Sequence, residues 1–362
     1  MHVGVDARMW QSSGIGTYLQ NLLPALTNHF EVTIIGDVPD LDASLIPSAI
    51  PIYSVSELLR FPRLVPQCDV FWSPHYNVPI LPIRARRRLV TIHDVFHLAY
   101  YHTLSWQQKA YASVVSRAAV HLSDAVITVS EFSRQEIVHY LGISSDKIKV
   151  IYNGIDHSLF HPIADQLLQT RVRQRYQLPD RFILFVGNVK PHKNLITLVK
   201  AFASLDSQDV HLVIVGRKDG FITGDASLLV YLQQHSALNE RIHFTGYVER
   251  EDLPVIYHLA QLFVFPSLYE GFGLPPLEAM ACGCPVLAAK VASIPEACGA
   301  AALYMNPYSV TDTQMVLQQA LTLSSEDKQS LIEKGFTQAN RFRWAEAVKQ
   351  HVEVIKQVAI SR

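Results

Sequence analysis

Phe265-Pro266-Ser267-Leu268-Tyr269-Glu270-Gly271-Phe272-Gly273-Leu274-Pro275-Pro276-Leu277-Glu278 is the stretch that decides how this chain is read. The apolar run Leu262 to Phe265 reads as a buried strand, and Leu277-Glu278-Ala279-Met280-Ala281 reads as the first turns of a helix. A glycine-rich turn closed by two prolines lies between them. Proline is tolerated at a helix start because its missing N–H would have no partner inside the helix. The backbone N–H groups of Gly271, Phe272, Gly273 and Leu274 can therefore face an anion, and the helix dipole adds to the attraction. Glu270 at the strand exit and Glu278 inside the helix bracket the turn. A phosphate-accepting turn between carboxylates suits a ligand that is part phosphate and part polyhydroxyl.

Working outward, short apolar runs alternate with helical patterns along the whole chain. Such alternation argues for parallel sheets with helices on both faces. The first half offers strands at His2–Val5, Glu31–Ile35, Asp69–Trp72, Leu89–Ile92, Ala125–Val129 and Lys149–Tyr152. A second set runs through Phe182–Val186, His211–Val215, Ile242–Phe244, Leu262–Phe265, Val286–Ala288 and Ala302–Tyr304. Two sets imply two doubly wound domains. The turn-rich segment from Asn153 to Pro162 reads as the linker, which places the domains at 1–160 and 161–344. The tail, from about residue 345 to 362, carries apolar residues at helical spacing.

A chain of 362 residues is long enough for two domains, and its 49% hydrophobic content supports sizeable cores. The net charge of −1 gives no ground for bulk nucleic-acid binding. Cys68, Cys282, Cys284 and Cys298 form neither a disulfide framework nor a metal-ligand spacing. The N-terminus starts directly on a strand pattern and lacks a signal-peptide pattern, and no apolar stretch reaches the length of a membrane span. A cytoplasmic protein is expected, soluble or peripherally attached. The cluster Arg84-Ala85-Arg86-Arg87-Arg88 admits a contact with anionic lipid headgroups or, equally, a solvated strand entrance. Tyr100, Tyr101, His102 and Trp106 admit stacking on a sugar or ordinary helix packing.

Two glutamates separated by seven residues around a Gly-Phe-Gly-Leu turn resemble the signature of retaining GT-B glycosyltransferases. The resemblance is to family four, the group-one transferases, which include mannosyltransferases of polysaccharide assembly. Ala279-Met280-Ala281-Cys282-Gly283-Cys284-Pro285-Val286 and Ile294-Pro295-Glu296-Ala297 extend it. The bland alternative is a strand–turn–helix stiffened by proline. The resemblance implies a GT-B fold, two Rossmann-like domains facing across a cleft, with the last helix crossing back onto the first. It implies an N-terminal acceptor domain and a C-terminal donor domain for a nucleotide-diphosphate sugar. GDP-mannose is the favoured donor, and a saccharide or lipid-linked saccharide the acceptor.

The same resemblance assigns roles residue by residue. Lys193, in Val186-Gly187-Asn188-Val189-Lys190-Pro191-His192-Lys193-Asn194, falls where the family places a lysine on the donor diphosphate. Asn188 stands where many relatives carry arginine, which removes one fixed cation. The turn Gly271, Phe272, Gly273 and Leu274 would hold the same diphosphate. Gly14-Ile15-Gly16 after the first strand resembles a loop that faces the donor phosphate, although a tight turn explains a lone Gly-x-Gly as well. Tyr247 and Val248 resemble the segment that reads the nucleobase through backbone groups, and Glu278 would accept hydrogen bonds from the ribose. Glu270 would face the donor sugar near the reacting carbon. His93 closes the strand Leu89–Ile92 at its C-terminal end, where open α/β sheets bind ligands. Its implied role is to hydrogen-bond a hydroxyl of the transferred sugar, with Asp94 orienting the site and His97 structural or acceptor-facing. No metal is required by a site so composed. An epimerase or hydrolase on the same scaffold, or a non-catalytic nucleotide-sugar sensor, remains as an alternative.

Overall fold

β-Branched and aromatic runs become strands buried on both faces, the state that parallel sheets covered by helices impose. The computed structural model describes residues 1–12, 14–39, 41–207, 209–216 and 225–361. They form two units, Met1–Gly154 with Trp344–Arg362, and Ile155–Arg343.

The first unit holds β1 (His2–Asp6), β2 (Glu31–Ile35), β3 (Ser44–Ile46), β4 (Cys68–Ser73), β5 (Ala85–Thr91), β6 (Ala125–Thr128) and β7 (Ile148–Val150). All pair in parallel in the order β3-β2-β1-β4-β5-β6-β7. The second holds β8 (Phe182–Val186), β9 (His211–Val215), β10 (Ile242–Gly246), β11 (Leu262–Phe265), β12 (Val286–Ala289) and β13 (Leu303–Met305). These too are parallel, in the order β10-β9-β8-β11-β12-β13. The strand order reverses between β1 and β4 in one unit and between β8 and β11 in the other. Ligands of doubly wound sheets bind at the carboxyl ends of the strands at such switch points.

The expected strands are present, with β3 added and β5 extended backwards through the arginine cluster. Cys68 and Ala85 open the β4–β5 ladder, so Arg86, Arg87 and Arg88 lie in a strand. Arg87 pairs with Asp124 at 2.9 Å, and Arg88 donates to the Pro79 carbonyl at 2.7 Å. These bonds commit two of the arginines within the unit, while the Arg86 side chain is 81% exposed.

The division falls between Gly154 and Ile155 rather than at residue 160. Ile155 N–H and His157 Nε2–H both donate to the Phe342 carbonyl, at 3.1 and 3.2 Å, and Asp156 pairs with Arg250 at 3.2 Å. The linker thereby joins the second unit. The final helix, Trp344–Ile360, belongs to the first: Ala347, Val352, Ile355 and Val358 are buried with Val3, Leu19, Leu22 and Trp72.

A buried charge network anchors the end of β1. The Asp6 and Glu57 carboxylates flank the Arg8 guanidinium at 2.7 and 2.5 Å, and all three side chains are buried. Glu57 also accepts from the Asn77 amide and from Tyr53 N–H. Burial alone would raise the Asp6 carboxyl, but hydrogen bonds and charge from Arg8 and His75 outweigh it and hold the group at about 2. Its stabilising contribution is therefore complete above the ordinary value of 3.8 and is lost as pH falls towards about 2. Asp6→Asn should cost about 3 kcal/mol at neutral pH, because it leaves a buried guanidinium with one of its two carboxylate partners. The gap between mutant and parent should narrow below pH 4. Urea unfolding followed by tryptophan fluorescence measures this in the first unit alone, since Trp10, Trp72, Trp106 and Trp344 all lie there. A gap independent of pH would contradict the assignment.

Candidate active site

In the second unit the loops leaving β8 and β11 flank the switch point. After β8 the chain makes a single 3-10 turn, Pro191–Lys193, and Asn194 takes a left-handed conformation, φ 54°, to start the helix Leu195–Ala203. The Asn194 amide donates to the Pro266 carbonyl at 3.2 Å and the Pro307 carbonyl at 2.8 Å. Its oxygen accepts from the Thr197 hydroxyl at 2.7 Å. Leu268 N–H donates to the His192 carbonyl at 2.8 Å. The loops are thus stitched together, and Lys193 Nζ meets Glu270 Oε1 at 2.6 Å. Both side chains keep a little solvent access, 20% and 15%. Burial, reinforced by the Lys193 charge, pushes His192 down to about 4, so its ring is neutral at physiological pH.

The turn after Glu270 is held from a third loop. Ser293 Oγ lies 2.8 Å from the Glu270 carbonyl and 2.9 Å from that of Phe272, its single proton shared between them. The Phe272 ring is buried and packs on Phe342 with centroids 5.3 Å apart, so Phe272 can present only its backbone. Gly273, at φ 109°, caps the helix Leu274–Ala281, a conformation that favours glycine. Pro275 and Pro276 occupy the first turn.

Glu278 projects from this helix and accepts from the Tyr257 hydroxyl at 3.1 Å. Burial, only partly offset by that bond, pushes the Glu278 carboxyl up to about 7. At the end of β10, Tyr247 is 65% exposed while Val248 is buried. The second unit therefore brings Lys193, Glu270 and the 271–274 turn together at its switch point.

Gly14, Gly16 and His93 belong to the first unit. Gly14 precedes the helix Ile15–Leu26 and Gly16 lies in its first turn. A Cβ at Gly16 would lie 2.5 Å from the Trp10 carbonyl oxygen, and the Gly16 N–H already donates to Ser12 at 2.9 Å. The fold itself thus requires glycine at 16. His93 stands just past β5, and its Nε2–H donates to the Pro74 carbonyl at 2.9 Å in the loop after β4. That bond fixes the tautomer and leaves Nδ1 as an acceptor. Burial holds His93 at about 4, hence neutral. Asp94 accepts from Phe96 N–H at 3.0 Å and shapes the turn. His97 bonds Ser116 at 2.7 Å and stacks on Tyr76 at 4.4 Å. Trp106 is 76% exposed and so is not core packing.

Sequence reasoning passed over Asn194, Ser293 and Tyr257. Asn194 closes one motif that was read and Ser293 adjoins another, but nothing in one sequence reveals which carbonyls a polar side chain will reach. Among the described residues, no group of three or more His, Cys, Asp or Glu is placed to hold a metal ion. No helix among them is long and apolar enough to cross a membrane.

Two Rossmann-like units of parallel strands, with a lysine–glutamate pair and a glycine turn at the switch point of the second, define a GT-B protein. Sucrose-phosphate synthase from Thermosynechococcus elongatus superimposes with a TM-score of 0.79 at 22% identity, over 99% of this chain and 98% of that one. Anabaena HepE, solved in complex with UDP-glucose, gives 0.79 at 18% identity over 99% and 100%. Residues 12–159 match glycosyltransferase family 4, and residues 169–338 match glycosyl transferases group 1. The O-antigen chain mannosyltransferase B of Escherichia coli is 31% identical over 292 residues, 79% of this chain and 74% of that protein. The chain belongs to the family 4, group 1 glycosyltransferases. The serotype-specific mannosyltransferase WbdA of Escherichia coli is 33% identical over 227 residues, 62% of this chain. That match spans only 27% of the length of WbdA.

The stitching makes Asn194 a test of the site's framework. Asn194→Ala loses all three side-chain bonds and forces alanine to φ 54°, so stability should fall by about 2–4 kcal/mol. Asn194→Gly should recover only the backbone part. Calorimetric unfolding of both variants separates the contributions, and equal stability of Asn194→Ala and the parent would contradict the role.

Proposed function

We propose that the protein transfers mannose from GDP-mannose to a saccharide or lipid-linked saccharide acceptor, with retention of anomeric configuration, in the assembly of a polysaccharide or glycoconjugate. The observation that carries this reading is the Lys193–Glu270 pair at the switch point, beside the glycine turn. The similarity to mannosyltransferases supports the choice of sugar. The reaction is placed in the cytoplasm, with peripheral membrane contact where the acceptor is lipid-linked.

In this reading Lys193 leaves Glu270 to meet the donor diphosphate, joined by backbone N–H groups of the 271–274 turn. A compact ammonium suits a leaving group whose negative charge grows as the sugar bond breaks. Glu270, released from the ion pair, accepts from hydroxyls of the donor sugar and offsets positive charge at the reacting carbon. Tyr247 and Val248 meet the nucleobase, and Glu278 holds the ribose. Neutral His93 accepts a sugar hydroxyl through Nδ1. The positive potential comes from the protein, so no metal is required.

Turnover of labelled GDP-mannose with an oligomannoside acceptor tests the reading, and the anomeric coupling of the product reports retention. Lys193→Ala should lower the rate about tenfold to a thousandfold with the fold intact. EDTA should leave the parent active. Unchanged transfer by the mutant, or inactivation reversed by a divalent cation, would refute the respective assignment.

Glu278→Gln and Glu270→Gln should fail differently. The ribose does not change charge during the reaction, so Glu278→Gln should act mainly on donor KM and nucleotide affinity. Donor affinity of the parent should rise as pH increases through about 7, where the carboxyl becomes a full acceptor, and the Gln variant should lack this dependence. Glu270→Gln should act mainly on kcat. Calorimetry with the nucleotide and steady-state kinetics decide, and the reverse pattern would exchange the two roles.

A further inference from the structure

Tyr18, which flanks His93, is held by a helix from the far end of the chain. Its ring lies in a T-shaped contact with the imidazole, centroids 4.7 Å apart and planes at 85°. Tyr18 is buried, and its hydroxyl lies 3.1 Å from Thr91 Oγ1 and 2.5 Å from His351 Nε2. The direction of every bond in this cluster follows from donor chemistry. His351 Nδ1 is 2.6 Å from the Ala347 carbonyl, which can only accept, so Nδ1 carries the proton. His351 is fully buried and neutral, and its Nε2 therefore accepts from the Tyr18 hydroxyl. The Trp72 indole N–H donates to Thr91 Oγ1 at 3.0 Å, which leaves the Thr91 proton for the Tyr18 oxygen. The relay runs one way, from Trp72 on β4 through Thr91 on β5 and Tyr18 on the first helix to His351 on the last. Each of these polar groups is paired, and a fully satisfied buried network of this kind specifies a single arrangement.

We propose that Tyr18 and His351 are positioning residues for His93. His351 anchors the Tyr18 hydroxyl, the Tyr18 ring fixes one side of the imidazole, and the Pro74 carbonyl fixes Nε2. His93 is left with one orientation and one open atom, Nδ1. The final helix is thereby part of the working face of the first unit as well as of its core. The functional half of this inference rests on the proposed role of His93, while its structural half does not.

The test uses the whole chain with histidine labelled in the ring, GDP-mannose as donor and an oligomannoside as acceptor. In the parent, the His93 ring should show the Nε2–H tautomer. Tyr18→Leu, which removes ring and hydroxyl, frees the imidazole to turn away from the Pro74 carbonyl and should give mixed tautomers, a kcat lowered about tenfold or more and a donor KM within about twofold. Tyr18→Phe keeps the ring but, like His351→Leu, loses the anchor, and should recover only part of the loss. His351→Leu removes the anchor but leaves the ring, and should shift the His93 signals in the same direction as Tyr18→Leu. It also serves should Tyr18→Leu not fold. A folded Tyr18→Leu or His351→Leu with an unchanged His93 tautomer would overturn the proposal, as would an effect confined to thermal stability. His93→Ala with undiminished kcat would instead sink the role of His93 and leave the tautomer result standing.

Discussion

Parallel pairing of β8 with β11 at the switch point is the constraint on which the second unit depends. Strands on either side of such a reversal send their helices to opposite faces, so their loops diverge and open a crevice. Here the Asn194 amide spans the gap by reaching the carbonyls of Pro266 and Pro307. A left-handed residue is needed to aim that amide while still starting a helix, and asparagine tolerates the conformation better than most residues. Lys193 and Glu270 meet because the backbone beneath them is tied.

The electrostatics of the site follow from the same geometry. The Lys193–Glu270 pair retains partial access to water, so neither charge bears the full desolvation cost of a buried ion. A phosphate group could replace the carboxylate as the partner of Lys193 without leaving the ammonium bare. His192 and His93 are both neutral at physiological pH, because burial penalises their charged forms. They therefore contribute hydrogen-bonding shape to their surroundings rather than charge.

The sheets and the 265–278 turn were legible because strand periodicity, glycine–proline punctuation and bracketing acids are local signals. β3 escaped notice because Ser44–Ile46 is short, largely exposed and flanked by polar residues. The start of β5 was missed because Arg86, Arg87 and Arg88 do not look like strand residues until Asp124 and the carbonyls that hold them are in place. The Lys193–Glu270 contact joins residues 77 positions apart, and the Tyr18–His351 contact joins residues 333 apart. Such pairings are set by topology, and one sequence without its fold does not disclose them. Gly16 shows the converse: the residue was visible, but its cause, the Trp10 carbonyl, was not.

The unit that starts the chain also contains its last helix, so the second unit is an insertion within the first. During synthesis β1 to β7 emerge early but lack the apolar face supplied by Ala347, Val352, Ile355 and Val358. All of Ile155–Arg343 must be translated before that face arrives. At about 5–20 residues per second, the delay is roughly 10–40 s. The core of the first unit is therefore completed only after the whole of the second has been made. Throughout that interval the unfinished sheet exposes the surface its last helix will cover, and it is then that a chaperone would have something to hold.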